Sequence, residues 1–428
     1  MTSKNLEMSL RSRRRERAHV LSNSAFRSLD ARNEASDTMI RAIDRVPLEI
    51  WGHIIVFRAS SYWKAPLVAS AVCRAWRTAA LLTTEAWTQL EIEDETRMSI
   101  QDLDLWLERA GNRPIHTLLE RTKKRRMDSR IFLPRIAPRL VCMYLMGNLE
   151  ALAMNGVQFP VLELLTIFEP DTIRHQSLEF NRHRAPNLKS LHLHAIRSDQ
   201  RSWSNLPPLQ FIHIHITTFT IRNIWHRILS ECRNSLQSVV LTSSVGLEPP
   251  SGPPIRMSKL LDIQILAPDQ HTRASVVVVQ SYLQMPGLCK LFDQFANCVV
   301  DPPQWDCPTL EEYILWYPSY APDISQYTRL KRVVVVFWAE ALEMVLMPCL
   351  MQLMAFGDDV LPSLTELRYA IEYRRTWEPD PNEWRNTMVS ARRMITQIRK
   401  RRPQLRISTC RPVDILDLPH GLLQVCMI

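Results

Sequence analysis

The sequence predicts an α/β chain: a small three-helix unit near the front, then an irregular solenoid of parallel strands with helical or irregular returns. Three observations predict it. A proline-started apolar pattern opens at Val46, and two further short helical patterns follow before residue 92. A strand-like phrase, L-x-x-L-x-L with other apolar residues allowed, then recurs from Leu140 to Leu364. Finally, the 428 residues hold only 9 glycines against 28 prolines, a balance that disfavours glycine-rich phosphate loops and favours proline-punctuated connections.

Composition narrows the function classes. The chain is 46% hydrophobic and 23% charged, ordinary for a globular protein with real cores. Net charge is +9, with both signs spread along most of the length, a weak pointer to nucleic acid. Nine cysteines stand at scattered positions with no CxxC pair, and the front carries no signal-peptide pattern. A reduced compartment, cytoplasmic or nuclear, is therefore expected. The most apolar run, Val333 to Phe356, contains Glu340, Glu343 and Gln352 and a central Pro348. It reads as a buried strand running into a helix, and no membrane span is expected.

Residues 1–43 carry nine Lys/Arg against five Asp/Glu, with RSRRRER at 11–17, and no sustained apolar face. They read as a basic leader. At Pro47 the pattern changes. A proline loses nothing in a first helical turn, and Glu49 complements the positive end of the helix dipole. Ile50, Trp51, Ile54, Ile55 and Phe57 then recur at helical spacing. The polar loop RASSYWKAP separates this helix from one carrying Leu67 and Val68, and a third sets Val72, Cys73, Trp76 and Ala80 to one side. Trp87, Leu90 and Ile92 close the unit. Three helices in under fifty residues form little core, so such a unit leans on a neighbour or partner.

Three pieces here match one family pattern in order and spacing: Val46-Pro47-Leu48-Glu49-Ile50-Trp51, Val72-Cys73-Arg74-Ala75-Trp76-Arg77 and Thr83-Thr84-Glu85-Ala86-Trp87. Residues 44–92 thus resemble the F-box, in the form found in fungal proteins. Val46 stands where that pattern has leucine, Thr84 where it has proline and Ala86 where it has leucine. The resemblance implies docking to a Skp-type adaptor and, through it, to a cullin–RING ubiquitin ligase. It implies that Pro47, Leu48 and Ile50 meet the adaptor, with Ile54, Val72 and Trp76 contributing or buttressing. The physical mode is apolar anchors at helical spacing leaving water together in a groove.

Residues 93–137 read as a connecting segment in which the array begins. Over residues 138–375 the phrase leucines stand at 140, 149, 162, 188, 209, 236, 260, 288, 310, 330 and 364, mostly 20 to 28 residues apart. That period matches leucine-rich repeats, one strand and one return per repeat. Alternation turns Leu188, Leu191 and Leu193 inward, and likewise Leu209, Ile212 and Ile214. Helical spacing marks residues 219–232 as a return. The span 376–428 reads as a helix from Pro381 to Arg402, a tail strand LRIS and a cap. The region resembles the degenerate leucine-rich domains that follow F-boxes, which implies an unidentified protein target.

Three features compete for chemistry. His192 and His194 fall in the same columns as His213 and His215, so four imidazoles share one sheet face if those strands are neighbours. A solvated polar face, a pH-sensitive surface and a zinc site are the readings, and none of the four is assigned as a ligand. Ile314, Trp316, Val334, Val336 and Trp338 occupy outward positions of later phrases. Either loops or the C-terminal segment cover them, or Trp316, Val334, Val336 and Trp338 form a substrate-binding stripe. Arg121 to Arg126, RTKKRR, resembles a nuclear import signal or is a solvated loop. No P-loop, dinucleotide fingerprint, HExxH or GxSxG occurs, so no catalytic, cofactor or metal residue is assigned. A non-enzymatic substrate receptor is the first reading and a scaffold without ligase association the second. Nucleic-acid binding, resting on the basic leader and RTKKRR alone, is the third.

Overall fold

The structure, a computed structural model, describes residues 46–93, 98–120, 129–146, 156–168, 181–194, 205–217, 224–245, 247, 249–267, 273–295, 305–316, 318, 323–355, 361–372 and 381–410. The basic leader, RTKKRR, the phrase at Leu149 and the tail beyond residue 410 lie outside them. The chain divides into two compact units, residues 1–90 with 101–113, and residues 91–100 with 114–428.

In the first unit, α1 (Leu48–Ala59), α2 (Ala65–Val72) and α3 (Arg74–Leu82) precede a 3₁₀ turn, Thr84–Trp87. Pro47 is the N-cap of α1 and accepts from Ile50 and Trp51 N–H at 3.1 and 3.4 Å. α1 buries Gly52, Ile55 and Ala59, and α2 buries Ala65, Pro66 and Ala69. The small residues bring the helices close: a Cβ on Gly52 would lie 2.5 Å from Thr83 Oγ1. The unit reaches further along the chain than the expected boundary at 92. On α4 (Ile100–Arg109), Trp106 donates its indole N–H to Trp87 O at 2.7 Å and meets the Trp63 ring at 5.1 Å. Three indoles thus supply the core that three short helices lack.

The rest is built on one open sheet of thirteen strands. In chain order these are β1 (Gln89–Glu93), β2 (Ile115–Glu120), β3 (Leu140–Met146), β4 (Leu164–Phe168), β5 (Ser190–His194), β6 (Phe211–Ile216) and β7 (Ser238–Ser243). β8 (Ile255–Arg256) and β10 (Leu283–Gln284) pair apart, as a two-stranded sheet. The main sheet continues with β9 (Asp262–Ala267), β11 (Lys290–Phe295), β12 (Glu312–Trp316), β13 (Arg332–Trp338), β14 (Glu366–Glu372) and β15 (Arg406–Thr409). Strands lie side by side in chain order, and every pairing from β2 to β15 is parallel. The returns include α5 (Ser129–Ile136), α6 (Ile224–Cys232), α7 (Arg273–Tyr282), α8 (Leu342–Ala355) and α9 (Pro381–Arg401).

The phrase explains the register. From Leu162 to Leu364, each first leucine among the described residues lies two residues ahead of a strand and is buried. The second leucine position forms one buried row: Met143, Leu165, Leu191, Ile212, Val239, Ile263, Leu291, Tyr313, Val333, Leu367 and Ile407 are in register, strand to strand. Just ahead of the strands a backbone ladder crosses all repeats. Each N–H, from Glu163 to Arg406, donates to the preceding repeat's carbonyl at 2.8 or 2.9 Å. Val333 to Phe356 contains β13, a 3₁₀ turn and α8, a strand running into a helix, with Val345, Leu346, Cys349, Leu350 and Leu353 buried. Among the described residues no helix is long and apolar enough to cross a membrane.

Candidate functional site

The residues expected to meet an adaptor lie on the first unit. Once α1 buries Gly52, Ile55 and Ala59, the 100° step of a helix turns Ile50, Ile54 and Phe57 to the other side. Leu48, Ile50 and Ile54 are 38, 47 and 44% exposed, and Phe57 reaches 81%. Pro47 is exposed at the helix entrance, and Val72, at the end of α2, is exposed as well. Trp76 differs. It is half-buried on α3, with its ring 4.5 Å from that of Trp51, so it supports the α1–α3 crossing. Leu67, Val68, Leu81 and Leu82 join the exposed set. Ten of the seventeen exposed large hydrophobic side chains among the described residues fall between Leu48 and Leu82.

The closing turn faces the other way. Ala86 and Trp87 are wholly buried, Trp87 Nε1 donates to Ala80 O at 2.7 Å, and Arg109 lies 4.6 Å over the Trp87 ring. Arg113 binds the Glu85 carboxylate and reaches Thr84 Oγ1 at 3.3 Å.

On the sheet, the apolar stripe predicted at outward positions is not an open surface. Ile314, Trp316, Val334 and Val336 are 2, 8, 3 and 0% exposed, and they pack with Phe292 and Ala370 into one buried cluster. Only Trp338, at the end of β13, is half-buried. A substrate-binding stripe at Trp316, Val334, Val336 and Trp338 is therefore corrected to a second core. The physical reason is that each of the two columns is apolar on three consecutive strands, Phe292, Ile314 and Val334 in one and Trp316, Val336 and Ala370 in the other, and Cys410, just past β15, packs against them. A parallel sheet buried on both faces reads as an unbroken apolar run, as RVVVVFW does.

The four histidines do share one face. β5 and β6 pair His192 with His213 and His194 with His215. Ring centres lie 6.0 Å apart for His192–His213, 4.9 Å for His194–His213 and 5.8 Å for His194–His215, and Phe168 stacks on His194 at 4.1 Å. Against the reading of a solvated face, His194 and His213 are buried, while His192 and His215 are half-buried. His213 Nε2 meets Thr242 Oγ1 at 3.1 Å, while His213 Nδ1 and His194 Nε2 have no partner among the described residues. Burial pushes His192 down to about 4 and, with His215 and His192 adding repulsion, His194 to about 3. These rings stay neutral at ordinary pH. No group of three or more His, Cys, Asp or Glu side chains among the described residues is placed to hold a metal ion.

A row of charge borders the sheet. Asp262, Lys290, Glu312, Arg332, Glu366 and Arg406 alternate in sign at one register position. Arg332 bridges Glu312 at 3.1 Å and Glu366 at 2.8 Å. Sequence reading missed this row, since each residue alone is an ordinary surface charge and the sign alternation exists only across strands.

No family model and no curated protein matches the chain. The site must be read from its own residues.

Proposed function

We propose that this chain is the substrate-recognition subunit of an SCF-type cullin–RING ubiquitin ligase. On this reading residues 44–92 are an F-box, and the parallel sheet is an irregular leucine-rich-repeat solenoid that takes an unidentified protein target. One observation carries it. The residues that the F-box pattern assigns to the adaptor, Pro47, Leu48, Ile50, Ile54 and Val72, are turned out to solvent on short helices whose core is already filled. Exposed apolar anchors at helical spacing suit a hydrophobic groove on a partner. The chain itself performs no bond chemistry here. It holds a target near the loaded ligase and raises the effective concentration of target lysines.

The test is capture of a Skp-type adaptor by the full-length chain. Ile50→Asp and Ile54→Asp are expected to weaken capture by about thirtyfold or more, the scale of a lost interface anchor. Their exposure predicts unchanged folding. Trp76→Asp is a poor probe because it also breaks the contact with Trp51. A second reading, an interaction scaffold without ligase association, is favoured by the closing turn, where Ala86 replaces the pattern's leucine and is wholly buried. Failure of the folded parent chain to capture the adaptor selects that scaffold.

A further inference from the structure

A cavity of about 400 Å³ lies on the return side of the sheet, where α6 ends beside the segment 253–258. Ser230, Arg233 and Asn234 line one wall, and Arg256 and Ser258 the other, above the Pro253–Pro254 pair. The lining offers two guanidiniums, a carboxamide and two hydroxyls, and no carboxylate. Neither arginine has an ion-pair or hydrogen-bond partner among the described residues, and both are exposed. This is unusual beside the sheet's bordering row, where Lys290 and Arg332 are each matched by glutamates.

The walls are fixed by backbone and packing. His226 Nε2 meets Pro253 O at 3.0 Å, and a Cβ on Gly252 would come within 2.6 Å of the His226 ring. β8 carries Arg256, pairs with β10 and leads into Met257, whose N–H donates to Gln284 O at 2.9 Å. Arg233 follows the last turn of α6. Partial negative charge at a helix C-terminus opposes an anion. Here Cys232 O already accepts from Ser235 and Leu236 N–H at 3.0 and 3.1 Å, which blunts that opposition. The Ser230 hydroxyl is spent on His226 O at 2.8 Å, leaving Asn234 and Ser258 as the neutral donors.

We propose that this cavity binds a phosphate monoester, with Arg233 and Arg256 as its two charged hosts. Guanidinium forks match phosphate oxygens bidentately, and a phosphate monoester carries about 1.5 to 2 negative charges near neutral pH. Two arginines with no competing carboxylate balance that charge, whereas a single carboxylate would leave one unmatched. The cavity exceeds the size of a lone phosphate group, so the ester's carrier enters with it. The carrier is a phosphorylated side chain of a polypeptide or a free sugar phosphate, and the shared chemistry is the monoester.

The full-length chain is titrated calorimetrically with inorganic phosphate, with a capped phosphoserine peptide and its unphosphorylated twin, and with a sugar monophosphate. Saturable binding of at least one monoester is expected. Arg233→Gln and Arg256→Gln should each weaken it about tenfold, the scale of one charge-assisted contact, with melting unchanged because both side chains are exposed. Arg227→Gln, on the same helix but outside the lining, should leave it intact. The tighter of the peptide and sugar arms names the carrier. No saturable binding overturns the proposal, and so does binding that the double arginine variant retains or that Arg227→Gln weakens equally. Adaptor capture is not read in this experiment, so its failure and that of the ligase reading are separate results.

Discussion

Trp305 donates its indole N–H to Asp293 across 3.3 Å, in a place no solvent reaches. Asp293 sits in register with Ile265 and Leu315, in a row that is otherwise apolar on the neighbouring strands. Its other oxygen, Oδ1, has no partner among the described residues, nor has the buried hydroxyl of Tyr313. Burial pushes the carboxyl up to about 7, and the Trp305 hydrogen bond opposes this only in part.

That carboxyl makes stability depend on pH in a definite direction. Its folded value lies above the unfolded 3.8, so the stability it permits is full below pH 3.8 and is lost as pH rises through about 7. Asp293→Asn keeps the acceptor for Trp305 and cannot ionise. It should match the parent near pH 4 and exceed it at pH 8 by about 4 kcal/mol in urea unfolding. Equal midpoints at pH 8 would show that the carboxyl ionises in the folded chain as readily as in the unfolded one.

The histidine face acts in the opposite sense. Its folded values lie below the unfolded 6.5, so the stability is full above pH 6.5 and is lost as pH falls toward 4 for His192 and 3 for His194. The flanking strands add Thr166 and Phe168 on one side and Val240 and Thr242 on the other, with no carboxylate to hold a charged ring. Replacing both His192 and His194 by Asn should flatten the loss between pH 6.5 and 4.5 by roughly 4 kcal/mol. A parent whose unfolding midpoint is level across that interval would contradict the burial.

In the first unit, Gly52 and Thr83 report on the approach of α1 to the chain after α3. Gly52→Ala should cost about 1–3 kcal/mol, because its methyl meets Thr83 Oγ1 in a packed site. Thr83→Ala in the same chain should recover most of that loss, as the next contact is an ordinary 3.6 Å to Cβ. Thermal melting of the four members of the cycle tests the coupling. Additive losses would mean that the two helices part elsewhere.

The second core predicts a contrast between two valines. Val336→Ala, with no exposure, should cost about 1–3 kcal/mol. Val389→Ala on α9, 38% exposed, should stay within about 0.5 kcal/mol. Equal small effects in chemical unfolding would return Trp316, Val334 and Val336 to the surface.

Much of this architecture was legible from spacing. Leu188, Leu191 and Leu193 repeat the interval of Leu209, Ile212 and Ile214, and both triplets lie in the buried rows that interval implies. The helices at 48–82 and 381–401 and the tail strand follow from apolar periodicity in the same way. The cover on the second face was not legible. Outward positions on a strand look alike whether water or chain lies over them, and Cys410, one of its packing partners, lies about forty residues beyond the cluster's last strand residue, Ala370. Nor could spacing reveal Asp293, since its phrase, MPGLCKLFD, scans as one more repeat.

By itself the sequence determined a helical front, a parallel strand array and its register, because periodicity is a local property that each short segment carries whatever surrounds it. Only the tertiary structure decided which apolar residues reach solvent, that His194 and His213 are buried, and that Arg233 and Arg256 face one cavity. Those are matters of distance between residues far apart in the chain, and exposure and ionisation are set by what lies across that distance.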